Sequence, residues 1–198
     1  MNASAGRAAV ADDGVMRLLV LGGTHHVGRA VVETALARGD EVTTLTRGVS
    51  GPPAAGARAL YADRTDPGAL AAALGGEAWD AVIDTWSGEP CAVQDAAQLL
   101  AGRAGHYGYV SSRSVYQWPI PPGADESAPV VDGDPGSADG SDYAAAKRGG
   151  ELAAVAAFGD RALLARLQAE GDPPPRLAGL SHGLDPDRER EVLALAAG

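Results

Sequence analysis

Short apolar runs alternate with amphipathic segments along most of the chain, and each kind predicts a different element of secondary structure. Six runs predict strands, over residues 17–21, 41–46, 59–61, 81–84, 107–112 and 162–166. Apolar residues at helical spacing predict four helices, over 27–38 with a cap at Gly39, 67–74, 90–104, and from a cap at Ser141 to Phe158. Strands separated by helices pair in parallel through right-handed crossovers. The pattern therefore predicts an α/β fold with a doubly wound parallel sheet of order 3-2-1-4-5-6 and helices on both faces.

The two ends of the chain differ from this alternating region. Residues 1–15 are small and polar and lack the apolar centre of a signal peptide, so they are predicted to form a disordered leader, with Met1 or Met16 as the start. From Leu167 onward the chain contains three consecutive prolines and no further strand pattern. The sequence therefore predicts a leader over 1–15, one domain over 16–166 and an irregular tail over 167–198.

The charge of the chain restricts the partners that it can bind. The formal net charge is −10 at pH 7, so the phosphates of nucleic acids are repelled rather than neutralised. No apolar run approaches the length of a membrane span, and Cys91, the single cysteine, cannot form an intrachain disulfide. We therefore expect a cytoplasmic protein without nucleic-acid or membrane partners. A small anionic ligand held by backbone N–H groups is still compatible with this charge.

A glycine-rich turn, GGTHHVGR over residues 22–29, lies directly between the first predicted strand and the first predicted helix. Glycine at position 22 permits backbone conformations that a Cβ would obstruct, and glycine at position 28 permits close packing of the helix on the strand. The helix N-terminus then offers free N–H groups to a pyrophosphate. The turn predicts a Rossmann-type dinucleotide site, and the alternative is a tight turn that binds nothing. The candidate cofactor residues in the turn are Gly22, Thr24, His25, Val27 and Gly28.

Two histidines occupy this turn. His25 replaces the usual middle glycine of a G-x-x-G-x-x-G turn, and its side chain either crowds the pyrophosphate or donates a hydrogen bond to it. His26 is interpreted as a packing or solvent residue, because no third ligand for a metal ion is evident nearby. No metal site is predicted.

The end of the second strand indicates which dinucleotide is bound. An acidic residue about twenty positions after the glycine turn would accept hydrogen bonds from the ribose of NAD, but this strand ends in Thr46 and Arg47. A guanidinium pairs with the 2′-phosphate that only NADP carries, so the sequence favours NADP over NAD. A solvated surface arginine is the alternative. Asp63 and Arg64 follow the third strand and, with Thr46 and Arg47, are candidate cofactor residues. Asp63 is predicted to meet the adenine amino group, with a simple loop aspartate as the alternative.

Tyr143 and Lys147 are four residues apart in the last predicted helix, which puts both side chains on one face. The lysine ammonium favours the phenolate form of such a tyrosine, which suits the tyrosine to proton transfer. Ser112, at the end of the fifth strand, is placed to hydrogen-bond the same substrate oxygen. The Y-x-x-x-K spacing is common by chance, and the glycine turn and the preceding strands give it weight here.

Taken together, these segments resemble the extended or atypical short-chain dehydrogenase/reductases, the NAD-dependent epimerase/dehydratase superfamily. The resemblance covers about residues 16–166. MRLLVLGGT and VGRAVVETALARGDEVTTLTRG are similar to the opening of that family, YVSSRSVY to its serine segment, DESAP to its substrate loop and SDYAAAKRGGE to its active-site helix. Family members continue past the sixth strand into a substrate-binding region, so the resemblance implies a truncated chain or a naturally minimal domain.

The resemblance also implies roles for individual residues. The catalytic serine is expected to be Ser112, rather than either of the neighbouring serines at positions 111 and 114. The phenol of Tyr143 is expected to exchange a proton with the substrate and Lys147 to hold the cofactor ribose, so both also contact the cofactor. Thr85 and Trp86 are expected to line the nicotinamide side of the cofactor.

The resemblance implies an NAD(P)-dependent oxidoreductase or epimerase/dehydratase that acts on a carbonyl or secondary alcohol. A nucleotide-sugar-like compound is one candidate substrate. A homodimer is compatible with this interpretation. A non-catalytic dinucleotide-binding module or a decayed enzyme is the alternative, which the missing C-terminal region supports and the intact Ser-Tyr-Lys set opposes. RNA binding occurs among relatives with similar turns, and the net charge of −10 opposes it.

Overall fold

The computed structural model describes residues 14–167. The predicted leader and tail therefore lie outside the described residues, except for positions 14, 15 and 167. Neighbouring strands are all parallel, and their order across the sheet is β3-β2-β1-β4-β5-β6. This order confirms the predicted doubly wound, Rossmann-type sheet. In chain order the strands are β1 Arg17–Leu21, β2 Glu41–Thr46, β3 Arg58–Tyr61, β4 Trp79–Asp84, β5 Ala104–Ser112 and β6 Ala162–Leu167.

Four α-helices lie between the strands of the described region: α1 His26–Arg38, α2 Pro67–Leu74, α3 Pro90–Leu100 and α4 Tyr143–Phe158. Gly39 ends α1 in the left-handed conformation, with φ of 89°, as predicted. Pro67 and Pro90 lie in the first turns of their helices, where the missing N–H loses no hydrogen bond. Among residues 14–167, no helix combines the length and the apolar character that a membrane span requires.

Several predicted boundaries are wrong by a few residues. β4 begins at Trp79 rather than at residue 81, β5 begins at Ala104 rather than at residue 107, and α3 ends at Leu100 rather than at residue 104. The reason is backbone pairing: Trp79 and Ala104 are already partners in the β4–β5 ladder, so both strands start before their apolar runs do. The predicted cap Ser141 is also wrong, because the carboxylate of Asp142 accepts the hydrogen bond from the first turn of α4.

Side chains of β1 alternate between two apolar layers, because successive residues of a strand point to opposite faces. Leu19 and Leu21 pack with residues of α2, α3 and α4 on one face, and Leu18 and Val20 pack with residues of α1 on the other. The four leucine and valine side chains are almost completely buried. Helices therefore cover both faces, as predicted, and the strand that leads into the glycine turn is buried after its first residue.

Helix α4 packs directly on β5 because two consecutive glycines face its neighbours. A Cβ on Gly150 would lie 2.5 Å from the ring and hydroxyl of Tyr109, and a Cβ on Gly149 would lie 2.6 Å from the carbonyl oxygen of Asp134. Both distances are shorter than van der Waals contact, so a side chain at position 150 would push the helix away from the sheet, and one at position 149 would push it away from the loop before α4 and from α3. Gly150 thus sets how close the helix that carries Tyr143 lies to β5.

We expect Gly150→Ala to lower the free energy of unfolding by about 1–3 kcal/mol, because the buried Tyr109 ring cannot move away without loss of packing. Gly102→Ala is the matched control, since Gly102 lies in an exposed turn with no heavy atom within 4 Å of an added Cβ, and we expect a change within about 0.5 kcal/mol. Urea unfolding of both variants measures the difference. Equal midpoints for the two variants would contradict the close approach.

Candidate active site

All six parallel strands end at one edge of the sheet, which is the edge where open α/β sheets bind ligands. We call it the carboxyl edge. Helix α4 runs back from the end of β5 towards the start of β6, so its first turn also lies there. The topology thus brings the predicted site residues to one edge. They are the residues of the glycine turn after β1, Thr46 and Arg47 at the end of β2, Asp63 and Arg64 after β3, Thr85 and Trp86 after β4, Ser112 at the end of β5, and Tyr143 and Lys147 in α4.

The glycine turn connects β1 to α1 and is held against both neighbouring strands. Gly22 has φ of +122° and donates its N–H to the carbonyl of Leu45 at 2.9 Å. A Cβ at this position would collide with the hydroxyl of Thr85, which itself donates to the carbonyl of residue 21 at 3.0 Å. A Cβ on Gly28 would lie 2.8 Å from the backbone nitrogen of Gly23. Glycine is therefore required at positions 22 and 28 for this close packing.

The N-terminus of α1 is open to a ligand. No side chain caps it, and its first turn contains no acidic residue. His25 is extended, with φ of −136°, His26 has φ of +43°, and both imidazoles are exposed. Thr24 and Val27 are half-buried beside them. The first N–H groups of the helix therefore lack a side-chain acceptor, and the helix dipole adds a partial positive charge at the same place.

The ends of β2 and β3 form an exposed, charged part of the carboxyl edge. Arg47 and Asp63 are both exposed, and the hydroxyl of Thr46 accepts a hydrogen bond from the N–H of Gly48 at 3.2 Å. Thr65 donates its hydroxyl and its N–H to Asp63, at 2.7 and 3.0 Å. These hydrogen bonds, with a smaller contribution from the charge of Arg47, lower the pKa of Asp63 below its usual value. Asp63 is therefore ionised, and Arg47 is close enough to stabilise its negative charge.

Arg64 lies in a different environment from Asp63, its neighbour in sequence. Its guanidinium is buried and forms a bidentate ion pair with Asp84, with nitrogen–oxygen distances of 2.5 and 2.7 Å. One of the same nitrogens also donates to the carbonyl of Ala92 at 3.1 Å. Because the guanidinium of Arg64 is paired with Asp84, only the backbone of this residue could contact a cofactor.

Asp84, the last residue of β4, is a completely buried carboxylate. Besides Arg64, it accepts hydrogen bonds from the hydroxyl of Tyr107 at 2.5 Å and from the N–H of Trp86 at 2.9 Å. Burial opposes ionisation, but the charge of Arg64 and these hydrogen bonds outweigh it and keep the pKa of Asp84 below its usual value. Burial and the carboxylate together raise the pKa of Tyr107 well above its usual value. Asp84 is therefore ionised and the phenol of Tyr107 is protonated.

Lys147 is buried between the ends of β4 and β5. Its ammonium donates to the carbonyl of Trp86 at 2.6 Å and to the carbonyl of Val110 at 2.7 Å, and it lies 4.8 Å from the centre of the Tyr109 ring. Burial lowers the pKa of Lys147 from 10.5 to about 8, although the nearby Asp84 carboxylate opposes this shift. The ammonium is therefore charged at pH 7 and is held by two backbone carbonyls.

Two hydroxyls remain accessible at the same edge of the sheet. Tyr143 is the first residue of α4 and is 46% exposed. Ser112 is half-buried, and its Oγ lies 3.1 Å from the Oγ of Ser114 and accepts from the N–H of Ser114 at 3.2 Å. Ser111, by contrast, is buried and donates its hydroxyl to Glu151 at 2.8 Å. Ser111 is thus occupied in the interior, whereas Ser112 lies at the carboxyl edge with Tyr143.

Glu151 is a second completely buried carboxylate, and it connects α4 to β6. Arg166 donates to it twice, at 2.7 and 2.9 Å. Arg166 also donates to the hydroxyl of Tyr116 at 3.0 Å and to the carbonyl of Glu126 at 3.2 Å. Glu126 lies in the long loop before α4, so this network ties the loop to the helix and the sheet.

Neither buried network was predicted from the sequence. One feature of the sequence does point to the network around Asp84, namely the single carboxylate at the end of the apolar run AVID over residues 81–84. A charge buried in such a run requires a partner of opposite sign. Arg64 had been assigned to the cofactor, so its pairing with Asp84 was missed. Within residues 14–167, no group of three or more His, Cys, Asp or Glu side chains is arranged to hold a metal ion.

Several solved structures share the fold. The Bordetella bronchiseptica enzyme WbmG, in complex with NAD and UDP, matches 77% of the chain with a TM-score of 0.62 and 19% identity. A UDP-galactose 4-epimerase matches 76% with a TM-score of 0.61 and 23% identity. Epimerase Mth375 from Methanothermobacter thermautotrophicus matches 70% with a TM-score of 0.56 and 17% identity. The matches cover 53%, 55% and 46% of those proteins, so the chain spans about half of their length.

No significant match was found among the curated proteins. A family model, by contrast, matches residues 18–168 and is that of the NAD dependent epimerase/dehydratase family. The matched range is most of the 198-residue chain and contains the glycine turn, Ser112 and the helix with Tyr143 and Lys147. On this match, the chain belongs to the NAD dependent epimerase/dehydratase family.

Proposed function

We propose that this chain provides the cofactor-binding and proton-transfer residues of an NAD(P)-dependent oxidoreductase, epimerase or dehydratase that acts on a carbonyl or a secondary alcohol. The observation that carries the proposal is the meeting of an accessible tyrosine, an accessible serine and a buried ammonium at the edge that also carries the glycine turn. These are Tyr143, Ser112 and Lys147. The Y-x-x-x-K spacing has many chance occurrences, but its occurrence at this edge, beside a helix N-terminus without a cap, supports one common site.

A dinucleotide fits the residues along this edge. Its pyrophosphate would lie at the N-terminus of α1, where the first N–H groups have no side-chain acceptor and no carboxylate repels an anion. The backbone of Gly22 and Gly28 allows the approach, with Thr24, His25 and Val27 around it. The adenosine would lie towards Asp63 and Arg47, and the nicotinamide ribose towards Thr85, Trp86 and Lys147. When bound, the nicotinamide supplies hydride transfer.

The residues of the chain would supply the proton chemistry. The phenol of Tyr143 exchanges a proton with the substrate oxygen, and the hydroxyl of Ser112 donates a hydrogen bond to the same oxygen and stabilises its negative charge. The ammonium of Lys147 would hold the ribose hydroxyls of the cofactor. Epimerases and dehydratases of this kind begin with the same oxidation, so these residues serve all three reactions. WbmG binds NAD and UDP, which supports a nucleotide-sugar-like compound as the substrate.

We propose NADP as the preferred cofactor. The WbmG structure contains NAD rather than NADP. The proposal of NADP for this chain therefore depends on the chain's own residues at the end of β2. The end of β2 presents Thr46 and the exposed Arg47 and no carboxylate for the ribose diol. A guanidinium at this position offers a charge-assisted, bidentate contact to a 2′-phosphate.

A titration with NADPH and NADH at one ionic strength tests this cofactor choice. A charge-assisted hydrogen bond contributes roughly 1.5–3 kcal/mol, so we expect NADPH to bind about ten- to a hundredfold more tightly than NADH. Arg47→Ala should remove most of this difference and leave NADH binding almost unchanged. Arg58→Ala is the control, since it removes an equal charge from an exposed arginine at the opposite edge of the sheet. Tighter binding of NADH than of NADPH by the native chain would refute the preference.

The role of Tyr143 is tested by Tyr143→Phe. We expect this variant to lose a factor on the order of 10² or more in the rate of NADPH-dependent reduction of carbonyl compounds, because a proton-transfer group is removed. Its affinity for NADPH, measured by cofactor fluorescence, should remain that of the native chain. An unchanged rate would exclude Tyr143 from proton transfer.

The charge of Lys147 predicts a pH dependence of stability. Between about pH 8 and 10.5 the unfolded chain binds the lysine proton and the folded chain does not, so the free energy of unfolding should rise with pH across this window. Below pH 8 the lysine is protonated in both states and this gain is absent. Relative to Lys147→Met, which removes the titrating group alone, the native chain should gain at most about 3 kcal/mol by pH 10.5. If the free energy of unfolding changes with pH in the same way for both proteins from pH 7 to 10.5, burial does not lower the pKa of Lys147.

A further inference from the structure

A continuous series of contacts connects the buried ion pair to Lys147. Asp84 accepts the N–H of Trp86 at 2.9 Å, and the carbonyl of the same tryptophan accepts the ammonium of Lys147 at 2.6 Å. The guanidinium of Arg64 lies 5.0 Å from the centre of the Trp86 ring, and the indole N–H donates to the carbonyl of Glu89 at 3.0 Å. Residue 86 is therefore fixed through its backbone N–H, its ring and its carbonyl.

The position of the Trp86 carbonyl depends on this fixation, because residue 86 lies just past the end of β4 and outside the sheet ladder. Asp84 is the last residue of β4 that pairs with β5. Two residues later, the backbone N–H of Trp86 is hydrogen-bonded to the carboxylate of Asp84 instead of to a neighbouring strand. Tyr109 also donates its hydroxyl to the Trp86 carbonyl at 3.2 Å, which gives that oxygen a second donor beside the ammonium.

The charge of Asp84 is in turn held in place by donors from separate elements. Arg64 reaches it from the loop after β3, and Tyr107 reaches it from β5. The carboxylate cannot rotate without leaving one of these buried groups unpaired, at a cost that exceeds the energy of the hydrogen bond itself. A carboxylate fixed in this way is a rigid acceptor for the N–H of Trp86.

We propose that Arg64 and Asp84 are positioning residues for Lys147: the buried ion pair orients residue 86 so that its carbonyl holds the ammonium at the end of β5. The proposal rests on the proposed function, in which this ammonium contacts the cofactor ribose. Neither Arg64 nor Asp84 touches substrate or cofactor in this arrangement through its side chain. Their effect is transmitted through the backbone of one residue.

The sequence offers a direct probe, because Lys147 is the sole lysine of the chain. In protein labelled with [13Cε]lysine, the NMR spectrum therefore contains one lysine signal, which reports the environment and the titration of this ammonium without assignment. The charged groups that act on the ammonium are the carboxylates of Asp84 and Glu151 and the guanidinium of Arg64, and the ring of Tyr109 lies beside it.

Two triple variants isolate the hydrogen bond to Trp86. Both carry Arg64→Met and Tyr107→Phe, so that no buried cation or phenol is left unpaired, and replacement of a buried ion pair by apolar groups usually preserves the fold. One variant adds Asp84→Leu and the other adds Asp84→Asn. Leucine and asparagine have similar shapes, but only asparagine accepts a hydrogen bond from the N–H of Trp86.

We expect the lysine signal of the leucine variant to move towards that of a solvated lysine and its titration midpoint to shift by about 0.5 pH unit or more, because loss of one ordered acceptor changes the balance between the two protonation states. The asparagine variant should keep the native signal pattern more closely. Arg58→Met with Glu77→Leu removes a surface ion pair at the opposite edge and should leave the signal unchanged. An identical signal and midpoint in the leucine and asparagine variants, at equal thermal stability, would overturn the proposal.

NADH binding adds a second readout through a double-mutant cycle. We expect the leucine variant to bind NADH about tenfold more weakly than the asparagine variant, since a displaced ammonium no longer meets the ribose. In a Lys147→Met background the same exchange at position 84 should have no effect. A tenfold loss that persists without Lys147 would show a merely structural effect and overturn the proposal. If the native chain binds neither NADPH nor NADH, the proposed function fails, while the lysine signal still decides the positioning role.

If the leucine variant does not fold, Tyr107→Phe alone provides a graded test. It withdraws one of the donors that orient the Asp84 carboxylate and keeps the ion pair. The lysine signal should then move in the same direction by a smaller amount. A signal that coincides with that of the native chain would overturn the proposal in this case.

Discussion

The carboxyl edge of the sheet is arranged around one buried charge. Asp84 has no exposed surface, and an ionised carboxylate in the interior is tolerated only when it is paired and fully hydrogen-bonded. The guanidinium of Arg64, the phenol of Tyr107 and the N–H of Trp86 satisfy it from three places in the chain. Loss of one member of such a pair typically costs about 3–5 kcal/mol, so the loop after β3, the end of β4 and the middle of β5 are bound to one another at this point.

This constraint acts together with the close packing allowed by glycine. Gly22 and Gly28 let the first turn of α1 lie against β1 and β4, and Gly150 lets α4 lie against β5. Both helices begin at the carboxyl edge, one with an open N-terminus and the other with Tyr143 in its first turn. The anion-binding part and the proton-transfer part of the proposed site are therefore positioned by the same sheet, at the edge that also contains the buried ion pair.

Sequence patterns predicted the features that depend on local periodicity. The strand order followed from the alternation of apolar runs and helical spacing, and the glycine turn and the Y-x-x-x-K helix were visible because each lies within a few consecutive residues. Features set by distant pairing were not predicted. Arg64 and Asp84 are 20 positions apart and Ser111 and Glu151 are 40 apart, so neither contact leaves a local signature. The early starts of β4 and β5 were missed for the same reason, since the ladder begins before the apolar runs.

In the proposed site, a dinucleotide lies along the carboxyl edge with its nicotinamide ribose at Lys147. Because Lys147 is the sole lysine of the chain, a titration of [13Cε]lysine-labelled protein with NADPH tests this placement with one NMR signal. We expect a saturable shift of that signal, with the dissociation constant found from cofactor fluorescence. We expect a much smaller shift with 2′,5′-ADP, which lacks the nicotinamide ribose. Saturable binding of NADPH that leaves the lysine signal unchanged would show that the nicotinamide ribose does not lie at Lys147.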